Sequence, residues 1–142
     1  MMKKFIYEIC EILNIQVPSI SYDTTNFQSN TMMAQCNSSG STIYLKKYNK
    51  PNPDQLFAIA HELRHVWQIK NNYELYFSNY KTINKLNVNE YNLQIAEIDA
   101  NAFASIIMID FFHLQQQYKN MSSDMIIAIK NRMKKIAIEL SE

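Results

Sequence analysis

The chain has 142 residues, about the size of one ordinary domain, and its apolar fraction of 47% with a charged fraction of 19% is typical of a globular protein. The formal net charge of +1 lacks the basic excess of most nucleic-acid-binding proteins, so we expect no nucleic acid partner. Two cysteines exclude a framework of several disulfides, and no stretch reaches the roughly 18 apolar residues of a membrane span, so we expect one cytoplasmic domain over residues 1–142 with no membrane partner.

The N-terminal segment predicts a helix over residues 3–14. Its apolar side chains recur at helical spacing, and Asn14 ends the pattern. The first residues, Met-Met-Lys-Lys, begin like a signal peptide, but Glu8 and Glu11 interrupt the apolar run that such a signal needs. We therefore predict a helix of the folded domain rather than an export signal.

The next segment changes from helical to β-type spacing. Three short strands are predicted at residues 19–22, 31–36 and 42–45. The Asn/Ser-rich stretch 37–41 contains the only glycine of the chain, Gly40, and predicts a hairpin loop between the second and third strands. This part of the chain therefore predicts a small antiparallel sheet.

Three helices are predicted after the strands, at residues 53–70, 89–118 and 123–140. The first has Asn52 as its N-cap and Pro53 at its first position, with Gln55 placed to complete a capping box. Residues 71–88 predict a less regular connection with room for a helical turn. The order of a helix, strands and three helices predicts an α+β domain, with a small antiparallel sheet packed beside a helical bundle.

The middle of the first of these three helices carries His61-Glu62-Leu63-Arg64-His65, which is the motif H-E-x-x-H. His61 and His65 are one helical turn apart and about 40° apart around the axis, so both imidazoles can reach one ion. Glu62 falls on the flank of the same face, close enough to reach a metal-bound water without being a ligand. The motif predicts a zinc site (Zn2+) with Glu62 as the catalytic base.

The opposite side of this helix is apolar, which anchors the helix and leaves the histidine face available to a metal. The apolar positions are Leu56, Ile59, Ala60, Leu63 and Trp67. The plain alternative is a helical interaction module with two surface histidines and an accidental motif. Such a protein would bind no metal and would lose no stability in the presence of a chelator.

A catalytic zinc requires a third protein ligand and an open position. The only other histidine is His113 and no cysteine follows the motif, so a carboxylate is expected. The acidic residues of the following predicted helix are Glu90, Glu97, Asp99 and Asp110. Glu97 is favoured because its neighbours on the helical wheel are small, which permits close approach to the metal helix. Asp99 points about 160° away from Glu97, and Asp99 and Glu90 remain the alternatives.

The two segments together resemble the ImmA/IrrE-like zinc metallopeptidases, a family of small gluzincins often carried by phages and mobile elements. The resemblance rests on the H-E-x-x-H motif and on Ala96-Glu97-Ile98-Asp99-Ala100-Asn101-Ala102-Phe103-Ala104, and it covers roughly residues 31–110. It implies a zincin-like fold with Glu97 as the third zinc ligand, and Asn101 as the acceptor that holds a ligand histidine from behind. Arg64 departs from the pattern, because the family commonly has glycine there.

The resemblance and the motif imply hydrolysis of a peptide bond in an intracellular protein or peptide substrate, with Glu62 activating a zinc-bound water. A further donor to the developing oxyanion is expected, and the sequence does not rank the candidates Tyr73, Tyr76, Tyr91 and His113. The strand 42–45 is a candidate edge for an extended substrate, unless the strand 31–36 covers it. Cys36 is favoured as an ordinary strand cysteine, with an inhibitory thiolate in the open zinc position as the alternative.

A regulatory zinc protein is the competing function, for instance an anti-repressor partner in a mobile element. It would bind zinc with little or no general proteolysis. The presence of Glu62 argues against it, because a purely structural site has no need of a general base. Structural zinc sites also usually fill all four positions with cysteine and histidine.

Overall fold

The computed structural model describes residues 2–50, 52–82 and 86–142, except for the side chains of residues 88 and 89. In chain order its elements are α1 (Met2–Leu13), β1 (Ser19–Ser21), β2 (Ala34–Cys36), β3 (Thr42–Leu45), α2 (Pro53–Phe77), α3 (Val88–Asn92), α4 (Ile95–Phe112) and α5 (Ser123–Ser141). These helices and the small sheet confirm the α+β class. The chain divides into two compact units, Met1–Asn71 and Asn72–Glu142, and the single domain over 1–142 stays a prediction. No helix in the described part of the chain is long and apolar enough to cross a membrane.

The first unit begins with α1, which confirms the predicted first helix. Its buried residues are Phe5, Ile6, Ile9, Cys10 and Leu13. Asn14 adopts a left-handed backbone with φ 53°, and its N–H donates to the carbonyl of Glu11 at 3.1 Å. The N–H of Ile15 donates to the carbonyl of Cys10 at 3.0 Å. These two bonds form a Schellman motif, so Asn14 ends the helix as the sequence predicts.

The buried thiol of Cys10 predicts an alkaline loss of stability. Burial raises its pKa from 9.0 to about 11. In the unfolded chain the thiol ionises near pH 9, so stability that is complete below pH 9 is lost as the pH rises towards 11. At about 1.4 kcal/mol per pH unit, we expect the free energy of unfolding to fall by about 2–3 kcal/mol through this group. Denaturant unfolding at about pH 8 and pH 11 measures the loss, which should be smaller by this amount in Cys10→Ala and unchanged in the matched control Cys36→Ala.

The sheet has the strand order β1-β3-β2 and is mixed. β2 is antiparallel to β3 across the hairpin, whereas β1 is parallel to β3. The predicted antiparallel arrangement is therefore wrong for β1, since the chain passes through β2 before β3 returns in the direction of β1. Of the two possibilities for the strand 42–45, the structure shows the second: β3 is the central strand, covered by β2, and β2 lies at the edge.

The predicted hairpin loop between β2 and β3 is confirmed. Asn37 Oδ1 accepts hydrogen bonds from the N–H groups of Ser41 at 2.9 Å and Thr42 at 3.1 Å. Gly40 has φ 71°, and a Cβ at this position would lie 3.5 Å from the backbone of Val66 in α2. A left-handed backbone and a close neighbour both favour glycine. The loop therefore packs directly against the helix that carries the two histidines.

α2 begins where the sequence predicts. Asn52 Oδ1 accepts from the N–H of Asp54 at 2.9 Å, which is an N-cap bond, and a proline occupies the first helical position. Gln55 is buried, and its amide nitrogen donates to the backbone carbonyls of Met33 and Lys46. These carbonyls flank β2 and β3, so the first turn of α2 is attached to the sheet.

α2 consists of two helical segments on either side of a kink, and the second segment reaches Phe77. It is interrupted at Asn72, whose backbone is not helical, with φ −158° and ψ 71°. Asn72 Oδ1 accepts from the N–H of Leu75 at 3.2 Å and so caps the segment that follows. The first segment therefore ends close to the predicted residue 70, and the short segment up to Phe77 is the helical turn for which the predicted connection over 71–88 left room. Residues 83–85 of that connection lie outside the described residues.

The predicted helix over 89–118 is two helices, α3 and α4, in the second unit. α4 ends at His113, which has a left-handed backbone with φ 55° and donates its N–H to the carbonyl of Ile109 at 2.9 Å. The prediction is therefore wrong for residues 113–118. The left-handed position is usually marked by glycine or asparagine, so a histidine there gave no stop signal.

The last helix is confirmed as α5, and α4 packs against it. Ser122 caps α5 by accepting from the N–H of Met125 at 3.2 Å. Asp99 of α4 is 1% exposed, and its Oδ1 accepts from Arg132 Nε of α5 at 2.7 Å. A buried carboxylate is tolerated when a well-placed cation pairs with it. This ion pair therefore joins α4 to α5.

Candidate metal centre

The histidine face of α2 brings two ring nitrogens together. Nε2 of His61 and Nε2 of His65 are 3.1 Å apart, and the rings meet edge to face with centroids 4.6 Å apart. Two nitrogens that each lie about 2.0–2.1 Å from one zinc ion at a tetrahedral angle are separated by roughly 3.3 Å. The imidazoles therefore stand at about the spacing that one small metal ion requires.

The ring of His65 forms a hydrogen bond with Gln68, which lies three residues further along α2. Gln68 Oε1 is 2.7 Å from His65 Nδ1, and both side chains are buried. An amide oxygen only accepts, so Nδ1 carries the proton and Nε2 keeps its lone pair for a metal. The sequence reasoning missed Gln68. A polar residue three positions after a ligand histidine on the same helix is the signal that could have found it.

Glu62 faces the end of β2. Its Oε2 accepts a hydrogen bond from the backbone N–H of Cys36 at 3.3 Å, and Cys36 is the last residue of that strand. Glu62 is half-buried. A carboxylate that accepts one backbone hydrogen bond still has lone pairs with which to take up a proton. The sheet therefore orients this side chain without preventing it from acting as a base.

Glu97 belongs to the second unit, where it lies in the first turn of α4 and is 2% exposed. The positive end of the helix dipole favours a carboxylate at this position. Tyr80 Oη is 2.9 Å from Glu97 Oε2 and 2.8 Å from the hydroxyl of Tyr91. Burial raises the pKa of Tyr80, and the charge of Glu97 raises it further. The phenol therefore keeps its proton and donates a hydrogen bond to the carboxylate. A phenol has one hydrogen, so Tyr91 in turn donates to Tyr80.

Among the described residues, His61, His65 and Glu97 form a group that could hold a metal ion, and we call it the metal-binding group. One ring nitrogen from each histidine and one carboxylate oxygen all lie within 4.8 Å of one another. Two imidazoles and a glutamate are the donors of one known class of catalytic zinc site with three protein ligands. These three side chains can therefore hold a metal ion.

The two alternatives for the third ligand have other roles. Asp99 pairs with Arg132 of α5. Glu90 is exposed and forms a capping box at the start of α3. Asn87 Oδ1 accepts from the N–H of Glu90 at 2.8 Å, and Glu90 Oε1 accepts from the N–H of Asn87 at 3.3 Å. Of the three candidates, Glu97 is the one found in the metal-binding group.

The four candidate oxyanion donors lie in different surroundings. His113 follows Glu97 by 16 residues at the end of α4, which is about 24 Å along a helix axis. Tyr73 is 52% exposed, and the hydroxyl of Tyr76 accepts from a guanidinium nitrogen of α5 at 3.5 Å. Tyr91 is linked to Glu97 through Tyr80. Tyr91 is therefore the candidate whose hydroxyl is joined to the metal-binding group.

Two further residues predicted for the site are Asn101 and Cys36. Asn101 is one helical turn after Glu97 and is 7% exposed, and its backbone carbonyl accepts from the hydroxyl of Ser105 at 2.8 Å. Its predicted contact with a ligand histidine stays a prediction. The thiol of Cys36 is not a member of the metal-binding group among the described residues. The backbone N–H of Cys36 donates a hydrogen bond to Oε2 of Glu62.

Comparison with known proteins identifies one family. Residues 10–138 match the family described as the IrrE N-terminal-like domain, which is classed as a peptidase family. The matched range is nearly the whole chain and includes the H-E-x-x-H motif and Glu97. No curated protein and no solved structure matches the chain. The match confirms the resemblance that the two sequence segments indicate.

Proposed function

The chain belongs to the IrrE N-terminal-like domain family, and we propose that it is a zinc-dependent metallopeptidase that hydrolyses peptide bonds of an intracellular protein or peptide. The observation that carries the proposal is the convergence of His61, His65 and Glu97, whose ligand atoms lie within 4.8 Å of one another. Glu62 follows directly after the first of these ligands and supplies a base. The cytoplasmic location stays a prediction.

The donor set favours zinc. Two imidazole nitrogens and one carboxylate oxygen suit zinc better than magnesium or calcium, which prefer oxygen ligands. A site with three protein ligands leaves a fourth position for water or substrate. A bound zinc ion supplies Lewis acidity, which lowers the pKa of water and polarises a carbonyl oxygen.

Two side chains of α2 have further roles in the proposed reaction: one orients a ligand and the other acts as the base. Gln68 accepts from Nδ1 of His65 and so presents Nε2 as the ligand atom. Glu62 takes a proton from the attacking water and passes it to the leaving amine. The N–H of Cys36 holds one carboxylate oxygen of Glu62, which keeps the base oriented through both transfers.

The edge strand β2 is the proposed surface for an extended peptide. The N–H of Asn37 donates to the carbonyl of Thr42, and the N–H of Lys46 donates to the carbonyl of Met33. Residues 33, 35 and 37 therefore face β3, and the backbone groups of Ala34 and Cys36 point away from it. The outward N–H of Cys36 reaches Glu62, so a peptide that adds to this edge would lie beside the base.

Sequencing of newly formed termini tests the proposal. Zinc-loaded protein would be incubated with a peptide library made from digested proteins, and new N-termini would be identified by mass spectrometry. We expect new termini that disappear when zinc is removed by a chelator and return when zinc is restored. One bound zinc per chain without any new termini would instead favour the regulatory, anti-repressor-type function.

A further inference from the structure

The carboxylate of Glu97 is held by a pair of tyrosines in the second unit. Tyr80 donates to Oε2 of Glu97 and is itself bonded to the hydroxyl of Tyr91. The Tyr80 ring lies between two other rings, with centroid distances of 5.1 Å to Phe77 and 6.0 Å to Tyr91. Edge-to-face packing of this kind restricts the ring and hence the direction of its hydroxyl. Tyr80 is therefore a fixed donor rather than a mobile one.

The backbone next to Tyr80 is attached to the start of α4. The N–H of Lys81 donates to Gln94 Oε1 at 2.7 Å, and Gln94 Nε2 donates to the carbonyl of Lys81 at 2.9 Å. Gln94 is the residue immediately before α4, and its side chain forms no cap bond to the helix. Glu97 is the third residue of the same helix. These contacts together set the distance between the Tyr80 hydroxyl and the carboxylate.

A glutamate needs such a partner if it is to offer a metal one defined oxygen. The last torsion of its side chain is broad and roughly twofold, so rotamer preference does not orient the carboxylate plane. A carboxylate that is not oriented can bind a metal through one oxygen or through both. The bond from Tyr80 makes the two oxygens different, because it engages Oε2 alone. It also replaces hydration that the buried carboxylate lacks.

We propose that Tyr80 is a positioning residue of the metal centre: it holds Oε2 of Glu97 so that Glu97 coordinates the metal through one oxygen, and Gln94 holds Tyr80 in place. This inference rests on the proposed function, because it takes Glu97 to be a metal ligand. Hydrogen-bonding partners of metal ligands typically contribute 10–100-fold to metal affinity. The effect on affinity should therefore be large enough to measure.

Two metal titrations test the proposal on four proteins: wild type, Tyr80→Phe, Gln94→Ala and Tyr118→Phe. Zinc affinity would be measured by competition with a chromophoric chelator, and coordination by the visible absorption of the cobalt-substituted proteins. We expect Tyr80→Phe to bind zinc 10–100-fold more weakly. Its cobalt absorption should also be weaker, since a second carboxylate oxygen raises the coordination number. Tyr118→Phe is the matched control, because it removes a hydroxyl that bonds Ser105 at 3.1 Å elsewhere in the same unit.

The outcomes separate this inference from the proposed function. Zinc binding by the wild type, with the same affinity and cobalt spectrum in Tyr80→Phe, overturns the role of Tyr80 and leaves the metal centre in place. Equal weakening in Tyr118→Phe and Tyr80→Phe also overturns it, because the effect would then be general. If Tyr80→Phe does not fold, Gln94→Ala decides, and unchanged affinity with an unchanged spectrum overturns the proposal. Absence of zinc from the wild type overturns the metal centre itself.

Discussion

Replacing Glu62 with glutamine is expected to reduce peptide hydrolysis by roughly 10²–10⁴-fold while the metal stays bound. Glutamine keeps the shape of the side chain, and its amide oxygen can still accept from the N–H of Cys36. It cannot take up a proton at neutral pH, so the step that activates water loses its base. The measurement is the rate at which new termini appear, made beside the metal content of the same sample.

Glu74→Gln is the matched control, since Glu74 is an exposed glutamate of the same helix. It should keep the wild-type rate, because the substitution changes charge without touching the H-E-x-x-H motif. Wild-type turnover by Glu62→Gln, with zinc bound in both proteins, would exclude Glu62 as the base. Loss of zinc from Glu62→Gln would show that Glu62 holds the metal as well, contrary to its expected role.

Local signals in the sequence predicted most of the helical structure. The apolar periodicity located α1 and α5, and single polar residues marked the ends, such as Asn14 and Asn52. Each of these signals acts within one helical turn. They can be read without knowledge of the fold because the atoms involved are close in the chain.

The failures of prediction lie where structure depends on distant or atypical residues. The parallel pairing of β1 with β3 joins segments separated by the whole of β2, and alternation within a strand carries no information on direction. The end of α4 at His113 uses a left-handed histidine in place of the usual glycine.

In the candidate site too, residues with local sequence signals could be predicted and most contacts between distant residues could not. The two histidines follow from their spacing of four residues, and Glu97 follows from the small residues around it on the helical wheel. The Tyr80 contact could not be predicted, because it joins residues 17 positions apart and depends on a segment read as a loose connection. Gln68 is the exception, since it lies within one turn of His65 and could have been predicted.

Metal content is expected to be about one zinc ion per chain in the wild type and close to none in His65→Ala and Glu97→Ala. A structural zinc site with four ligands binds with about 10–16 kcal/mol, so the loss of one ligand corresponds to roughly 3 kcal/mol, or a hundredfold or more in affinity. The proteins would be dialysed against buffered free zinc and measured by elemental analysis. Glu90→Gln is the control, because Glu90 is exposed and caps α3, and it should retain the metal.

Stability in the presence of a chelator distinguishes a lost ligand from a damaged fold. A metal present at a thousand times its dissociation constant stabilises the folded protein by about 4 kcal/mol, so a chelator should lower the unfolding midpoint of the wild type. It should leave both ligand variants unchanged, since they bind no metal to remove. Zinc retained in Glu97→Ala, together with chelator-sensitive stability, would assign the third ligand to another residue. Metal loss in Glu97→Ala combined with metal retention in Glu62→Gln would separate the ligand from the base, which is the division of roles that hydrolysis requires.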